Sequence, residues 1–216
     1  MVLKLHGSPM STCTRRVAVV LKEKNVPYEL VKVDLMKDEQ KSAAFMANQP
    51  FGQVPYIVEE DGFQLFESRA IGRYIALKYA GQGNDVIPSP ADLKRTALFE
   101  QAASIELTNF DPFASGLAFE KVFKPNKKLG QTEERVVSAL LQQLNVKMDA
   151  YEAMLSKSKY LAGDDVTLAD LFHLTYGSML CSIGIDVLES PKRPNVVRWW
   201  KDLTSRPSWQ AVKDGA

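Results

Sequence analysis

The sequence has few cysteines and no excess of charge of one sign. Its 216 residues include only two cysteines, Cys13 and Cys181, and neither has a second cysteine at CxxC or zinc-site spacing. This pattern is typical of a reducing compartment. The 27 basic and 26 acidic residues leave a net charge of +1 with no long run of either sign, which argues against nucleic acid as the main partner.

A long apolar run is also missing. The apolar start at residues 1–5 is broken at once by the polar turn at 6–9, so no signal-peptide core and no membrane span are predicted. We therefore expect a soluble, cytoplasmic protein that does not bind membranes. The only histidines, His6 and His173, have no second ligand at metal spacing, so we expect no metal site and a structural role for both.

Hydrophobic spacing divides the chain into two unlike parts. Residues 1–80 predict the order β-α-β-α-β-β-α, a thioredoxin-like domain with a parallel βαβ opening. Residues 81–92 contain two glycines and two prolines and are predicted to be a linker. Residues 93–216 show helical spacing and no strand pattern, so the second domain is expected to be all-helical. The predicted fold class is α/β plus all-α.

Three patterns in the second domain predict structure rather than chemistry. Apolar residues recur at helical spacing over residues 137–155 and predict a long helix. Thr167 followed by Asp170 is a capping-box signature, so loss of Asp170 should reduce stability before activity. The tryptophans at positions 199, 200 and 209 are predicted to lie in the core or in an interface.

Residues 48–75 carry the most specific functional pattern. Pro55 opens a strand, which leaves the backbone of Val54 outside the strand ladder, where it can pair with an extended peptide. Glu67-Ser68 opens a helix, whose free N–H groups and positive dipole end are suited to hold a carboxylate. Together these elements predict a small acidic peptide as the ligand.

Ser11 begins the first helix at the carboxyl end of the first strand, where open α/β sheets bind their ligands. The residues alone leave two roles open. Ser11 can be an N-cap that stabilises the helix by roughly 1 kcal/mol and does nothing more. Alternatively, its hydroxyl can donate a hydrogen bond to a ligand thiolate and thereby lower the pKa of the thiol.

The chain resembles a cytosolic glutathione transferase in four features: Ser11 at the first helix, Phe51-Gly-Gln-Val-Pro55, Phe66-Glu-Ser-Arg-Ala70, and an all-helical second half with Gly163-Asp-Asp-Val-Thr-Leu-Ala-Asp170. The motifs, with serine at position 11, are most similar to the phi class of plants and fungi, and the resemblance covers essentially the whole chain. It implies an enzyme that conjugates the glutathione thiolate to hydrophobic electrophiles. Reduction of organic hydroperoxides with glutathione is a second activity that it implies.

For the first domain, the resemblance implies a role for each of several residues. Ser11 would stabilise the glutathione thiolate. Val54, before a cis Pro55, would pair its backbone with the cysteinyl unit. Ser68 and the helix start would hold the γ-glutamyl carboxylate, and Glu67 would contact the γ-glutamyl ammonium.

The resemblance also implies a site for the glycyl end of glutathione. Lys41 matches the family's partner for the glycyl carboxylate, and Gln53 assists beside it. The family usually has histidine directly before this lysine, whereas this chain has Gln40, which can donate a hydrogen bond but carries no charge. Without the motif, Lys41 would be interpreted as a solvated surface lysine.

The second substrate is expected between the domains, against Met10 and Thr12. Four phenylalanines are the aromatic candidates for this hydrophobic site: Phe110, Phe113, Phe119 and Phe123. Ordinary core packing is the alternative for each of them. Family members are usually homodimers, and Phe51 resembles an aromatic that docks into the partner subunit.

Two other functions stay open. The protein could be a non-catalytic carrier of hydrophobic small molecules (a ligandin). It could also be a thiol transferase that works through Cys13, which we favour less because cysteine-using relatives place the thiol at the position of Ser11. Cys181 is expected to be a buried apolar residue.

Overall fold

The computed structural model describes residues 2–216. It divides into two compact units. The first runs to Ile87 and includes the C-terminal segment Arg206–Ala216, and the second is Pro88–Ser205. The predicted boundaries differ from this division, because residues 206–216 had been assigned to the helical domain.

The first unit is built on a four-stranded sheet with the order β2-β1-β3-β4. The strands are β1 (Leu3–Gly7), β2 (Tyr28–Lys32), β3 (Tyr56–Val58) and β4 (Gln64–Phe66). β1 pairs in parallel with β2, and β3 is antiparallel to both β1 and β4. The helices are α1 (Thr12–Glu23), α2 (Ala43–Met46) and α3 (Ser68–Lys78), with 3₁₀ turns at Leu35–Lys37 and Glu39–Lys41. The predicted thioredoxin-like order is confirmed.

The hairpin of β3 and β4 begins directly after Pro55. Pro55 is predicted to open the strand, and the observed ladder begins at the next residue, Tyr56. Pro55 itself stays outside the ladder, because a proline has no N–H to donate. The peptide bond between Val54 and Pro55 is cis.

The second unit consists of helices joined by turns, with no strand among its described residues and one isolated β-bridge between Tyr160 and Gly163. Its helices are α4 (Leu93–Ile105), α5 (Asp111–Ala118), α6 (Lys124–Asn126), α7 (Glu134–Leu155), α8 (Leu168–Leu171), α9 (Leu174–Ser182) and α10 (Pro194–Ser205). Two π-helical turns, Glu106–Phe110 and Phe119–Phe123, join α4, α5 and α6 into one continuous segment. The predicted all-helical class is confirmed for this unit.

The core of the second unit forms around one face of α7. The buried residues of this helix are Val137, Leu144, Met148, Tyr151 and Leu155. The hydroxyl of Tyr151 lies 3.0 Å from Nε2 of His173, which is fully buried and packs edge-to-face on Trp199. The periodicity of α7 is therefore confirmed, and His173 has a structural position inside the core.

Asp170 forms the predicted capping box at the start of α8. Its Oδ2 accepts hydrogen bonds from the backbone N–H and the hydroxyl of Thr167 at 2.9 and 3.0 Å. Its Oδ1 accepts from the N–H of Leu161 at 3.0 Å and from Nε1 of Trp199 at 2.9 Å. One buried carboxylate thus connects the helix start to a neighbouring loop and to α10.

The C-terminal segment, which contains α11 (Pro207–Gln210), packs on α1. Glu23 of α1 is fully buried and accepts hydrogen bonds from Nε and Nη2 of Arg206 at 2.6 and 2.8 Å and from the hydroxyl of Ser208 at 2.5 Å. Nη1 of Arg15 donates to the carbonyl of Lys213 at 2.7 Å. These bonds explain why the segment belongs to the first unit.

Candidate functional site

Ser11 caps α1 immediately after the turn that follows β1. Its Oγ accepts a hydrogen bond from the N–H of Thr14 at 3.4 Å, and its backbone is extended, with φ −63° and ψ 131°. The N-cap role is thus observed, but it does not exclude the other role, because a hydroxyl that accepts a bond can still donate its proton. The positive end of the α1 dipole lies at the same place and favours an anion there.

Val54 occupies the position that the peptide-binding hypothesis requires. Because the ladder begins at Tyr56, the backbone N–H and C=O of Val54 lie outside the strand pairing. Its side chain packs against a buried cluster of Val33, Phe45 and Tyr56. The core thus fixes the side chain of Val54, while its backbone lies just before the start of β3.

Glu67 precedes α3 in a strained backbone conformation. Its φ of 71° and ψ of 106° are unusual for a residue with a side chain and cost about 1–3 kcal/mol. Strain of this kind is concentrated at ligand sites. The side chain of Glu67 is exposed and makes no capping hydrogen bond, and Ser68, the first residue of α3, is buried.

Arg16 lies behind Ser68 and was missed by sequence reasoning. Its side chain is 1% exposed, and its Nη1 donates to Oγ of Ser68 at 3.0 Å. The same Nη1 lies 3.3 Å from Sγ of Cys13. The available signal was a charged residue inside a helix stretch of apolar spacing, since arginine is seldom fully buried without a partner.

Lys41 is positioned rather than simply solvated. Its Nζ donates to the carbonyl of Phe51 at 3.2 Å. Gly52 makes this approach possible, because a Cβ at this position would lie 2.9 Å from Nζ of Lys41 and its φ of 60° favours glycine. The ammonium is therefore held beside the 51–53 loop.

Gln40 and Gln53 differ in their accessibility. Gln40 is buried, and its amide nitrogen donates to Oδ1 of Asp38 at 3.1 Å. Gln53 is exposed, and its backbone N–H donates to the side chain of Gln49 at 3.3 Å. Of the two, only Gln53 presents a side chain to solvent.

The candidates for the hydrophobic site are not equally accessible. Phe110 is fully buried, with its ring 4.5 Å from that of His173, so its inclusion is corrected: it belongs to the core of the second unit. Phe119 is 42% exposed, and Phe113 and Phe123 are half-buried. Thr12 is buried, whereas Met10 is 59% exposed.

The two cysteines lie in different settings. Cys181 is half-buried rather than buried, and desolvation raises the pKa of its thiol to about 11. A thiol with so high a pKa is not a nucleophile at neutral pH. Cys13 is also half-buried and contacts Arg16 as described above.

Comparison with known proteins identifies the family. Residues 1–77 match the family model of the glutathione S-transferase N-terminal domain, and residues 110–207 match that of the C-terminal domain. The chain belongs to the glutathione transferase family. This transferase is 50% identical to glutathione S-transferase PM239X14 of Arabidopsis thaliana over 92% of this chain and 89% of that protein.

Solved structures of glutathione transferases agree with this assignment. The structure is similar to that of glutathione transferase F7 from Populus trichocarpa, with a TM-score of 0.93, 41% identity and coverage of 99% and 98% of the two chains. It is also similar to glutathione S-transferase I from mais in complex with an atrazine glutathione conjugate, with a TM-score of 0.89, 33% identity and coverage of 99% and 97%. The resemblance to the phi class is confirmed.

Two features are absent from the part of the chain that the structure describes. Over residues 2–216, no helix is both long and apolar enough to cross a membrane. Within the same residues, no three side chains of histidine, cysteine, aspartate or glutamate come together as metal ligands.

Proposed function

We propose that this glutathione transferase binds glutathione in its first unit and conjugates it to hydrophobic electrophiles, with Ser11 as the catalytic hydroxyl. The observation that carries the proposal is the position of the Ser11 hydroxyl at the positive end of α1. A thiol with an ordinary pKa near ~8.5 is only about 3% ionised at pH 7. The reaction therefore requires stabilisation of the thiolate.

The two groups at the start of α1 are strong enough for this task. A hydrogen bond to a charged acceptor contributes about 1.5–3 kcal/mol. A helix N-terminus adds about 0.3–1 kcal/mol. One pKa unit is ~1.4 kcal/mol, so together they lower the thiol pKa by roughly 1–3 units and raise the thiolate fraction at pH 7 from about 3% to at least about a quarter. The thiolate sulfur then bonds to the electrophilic carbon, and the leaving group departs with its electron pair.

The remaining residues of the site are proposed to hold the tripeptide. The backbone of Val54 pairs with the cysteinyl unit. Ser68 and the start of α3 hold the γ-glutamyl carboxylate, and the exposed carboxylate of Glu67 pairs with the γ-glutamyl ammonium. Lys41 binds the glycyl carboxylate, with Gln53 beside it. Gln40, directly before Lys41, is proposed to donate a hydrogen bond from its side-chain amide at the same end.

In the second unit, the electrophile is proposed to contact apolar side chains that are exposed or half-buried: Phe113, Phe119 and Phe123. The mais relative, whose structure contains an atrazine glutathione conjugate, supports a hydrophobic second substrate. The same thiolate can attack an organic hydroperoxide, which releases the alcohol and leaves glutathione as a sulfenic acid. A second glutathione thiol then forms the disulfide with it, and the sulfenic oxygen leaves as water. Phe51, which is 63% exposed, is proposed to dock into a second copy in a cytoplasmic homodimer.

Three substitutions at Ser11 test the catalytic role apart from the capping role. Ser11→Ala removes both the cap and the hydroxyl, Ser11→Gly removes the hydroxyl but remains a tolerated N-cap, and Ser11→Thr keeps both. With an activated aryl chloride at pH 7, we expect Ala and Gly to lower turnover at least about tenfold, with glutathione affinity changed little, and Thr to retain most activity.

Ser8→Ala serves as the matched control, since it removes a neighbouring hydroxyl from the same turn. Wild-type turnover by the Gly variant, which has no side-chain donor, would show that Ser11 is only a cap. If the wild-type protein bound both glutathione and the electrophile but formed no conjugate from them, the carrier function would be favoured instead.

A further inference from the structure

We propose that Arg16 is a positioning residue that acts through Ser68 on the γ-glutamyl carboxylate of glutathione. The inference deepens the proposed function and rests on it. Arg16 itself does not contact the ligand. It orients and polarises the hydroxyl of Ser68, which does.

The geometry places a buried charge directly behind the anion-binding end of α3. Arg16 is 1% exposed, and its Nη1 lies 3.0 Å from Oγ of Ser68, which is itself buried. Arg16 comes from α1 and Ser68 begins α3, so the bond joins the two helix starts that are proposed to hold the two ends of the γ-glutamyl-cysteine unit. The contact with Cys13 at 3.3 Å holds the same guanidinium nitrogen against the first turn of α1.

The chemistry of the two groups fixes the direction of the hydrogen bond. A guanidinium has donors only, so Oγ of Ser68 must be the acceptor. The hydroxyl proton of Ser68 is then directed away from Arg16 and can be donated to an incoming carboxylate. A hydroxyl that accepts from a charged donor is polarised and becomes a stronger donor itself.

The charge of Arg16 strengthens this effect on Ser68. A guanidinium that is out of contact with water is weakly screened, so it polarises the Ser68 hydroxyl more than an exposed one would. A lysine at position 16 could also donate to Oγ of Ser68, but its flexible stem would hold the donor less firmly.

The test compares glutathione with an analogue that lacks the α-carboxylate of the γ-glutamyl unit, 4-aminobutanoyl-cysteinyl-glycine. We expect Arg16→Gln to raise KM for glutathione about tenfold, equivalent to ~1.4 kcal/mol, with kcat at saturation within about twofold. KM for the analogue should not change, because the group on which Arg16 acts is missing from it. Arg16→Lys should show a smaller loss that is likewise confined to glutathione.

Arg15→Gln is the matched control. Arg15 is the adjacent buried arginine on α1, and it bonds to the carbonyl of Lys213 and packs over Trp209 rather than facing Ser68. We expect this variant to have unchanged KM for both ligands. A double variant, Arg16→Gln with Ser68→Ala, should bind glutathione no more weakly than Ser68→Ala alone, because the two residues act in series.

Two results would overturn the inference and leave Arg16 a structural residue. One is that Arg16→Gln raises KM equally for glutathione and the analogue. The other is that the losses of affinity add in the double variant. If Arg16→Gln does not fold, Arg16→Lys decides, since a loss that does not distinguish the ligands contradicts the inference in the same way. Failure of the wild-type protein to bind glutathione would instead overturn the proposed function.

Discussion

Replacing Asp170 with alanine is expected to lower the free energy of unfolding by about 3–5 kcal/mol without changing KM for glutathione. The carboxylate of Asp170 is fully buried and accepts bonds from the backbone N–H groups of Leu161 and Thr167 and from Nε1 of Trp199. Alanine would leave these three buried donors without their acceptor. Each costs about 1–3 kcal/mol when it is left unsatisfied.

The lower end of that range, summed over three donors, gives the ~3 kcal/mol expected as a minimum. A total stability of about 5–15 kcal/mol makes this a severe loss. Asp170→Asn keeps one acceptor oxygen and turns the other into a donor. It should therefore retain about half of the hydrogen bonds and lower the free energy of unfolding by about half as much as Asp170→Ala. Asp149→Ala, which removes a mostly exposed partner of Arg193, should cost less than about 1 kcal/mol and serves as the control.

Urea unfolding measures the effect. With a slope of about 1–3 kcal/mol per M, a loss of ~3 kcal/mol moves the midpoint by at least ~1 M. Steady-state turnover at low temperature, where the variant stays folded, shows whether KM for glutathione has changed. A midpoint within about 0.3 M of wild type, or a raised KM for glutathione in the folded variant, would refute the reasoning.

Three further predictions concern other buried groups. Burial lowers the pKa of His173, so the unfolded state binds a proton more readily than the native state does. The free energy of unfolding should therefore be full above the unfolded pKa of ~6.5 and should fall as the pH drops below it. In urea titrations, His173→Gln should reduce this dependence of the free energy of unfolding on pH. Arg206→Ala leaves the carboxylate of Glu23 buried without its cation, so the free energy of unfolding should fall by about 3–5 kcal/mol and hydrogen exchange in residues 206–216 should accelerate. Gly52→Ala places a Cβ against Lys41 at a positive φ, so it should cost more than about 1 kcal/mol and raise KM for glutathione, as unfolding and steady-state assays can show.

Controls for these predictions lie nearby. Lys201→Gln, on an exposed part of α10, should leave the pH dependence of unfolding, the hydrogen-exchange rates and KM for glutathione unchanged. A pH slope that persists in His173→Gln, or exchange in the C-terminal segment that does not respond to Arg206→Ala, would contradict the corresponding assignment.

The parts of the fold that follow local patterns could be predicted from the sequence. The order of elements in the first unit and the buried stripe of α7 depend on spacings within single elements, and the structure confirms both. The capping box at Thr167 and Asp170 is equally local and is confirmed. These patterns need no knowledge of distant contacts.

Features that depend on distant partners were missed. The bond between Glu23 and Arg206 joins residues far apart in sequence, and no local pattern shows that it brings the C-terminal segment to the first unit. Phe110 and Phe119 both look apolar and helical, yet only the packing on His173 shows that Phe110 is core. Arg16 was overlooked because its partner, Ser68, lies on another helix.

The site residues divide in the same way. Ser11, Val54 and Glu67-Ser68 could be predicted as candidates because each is marked by local chemistry: a helix start, a proline at a strand, and an acid with a hydroxyl. Gln40 shows the limit of that approach, since its sequence position suggested a ligand contact and its burial was not foreseen.

The central claim is that Ser11 stabilises the thiolate of bound glutathione. Its most direct test is an absorbance titration of the thiolate in the glutathione complex, for the wild type, Ser11→Thr and Ser11→Gly. We predict a thiol pKa at least about one unit below ~8.5 in the wild type and in Ser11→Thr, and a return toward ~8.5 in Ser11→Gly. The same lowered pKa in wild type and Ser11→Gly would contradict the claim.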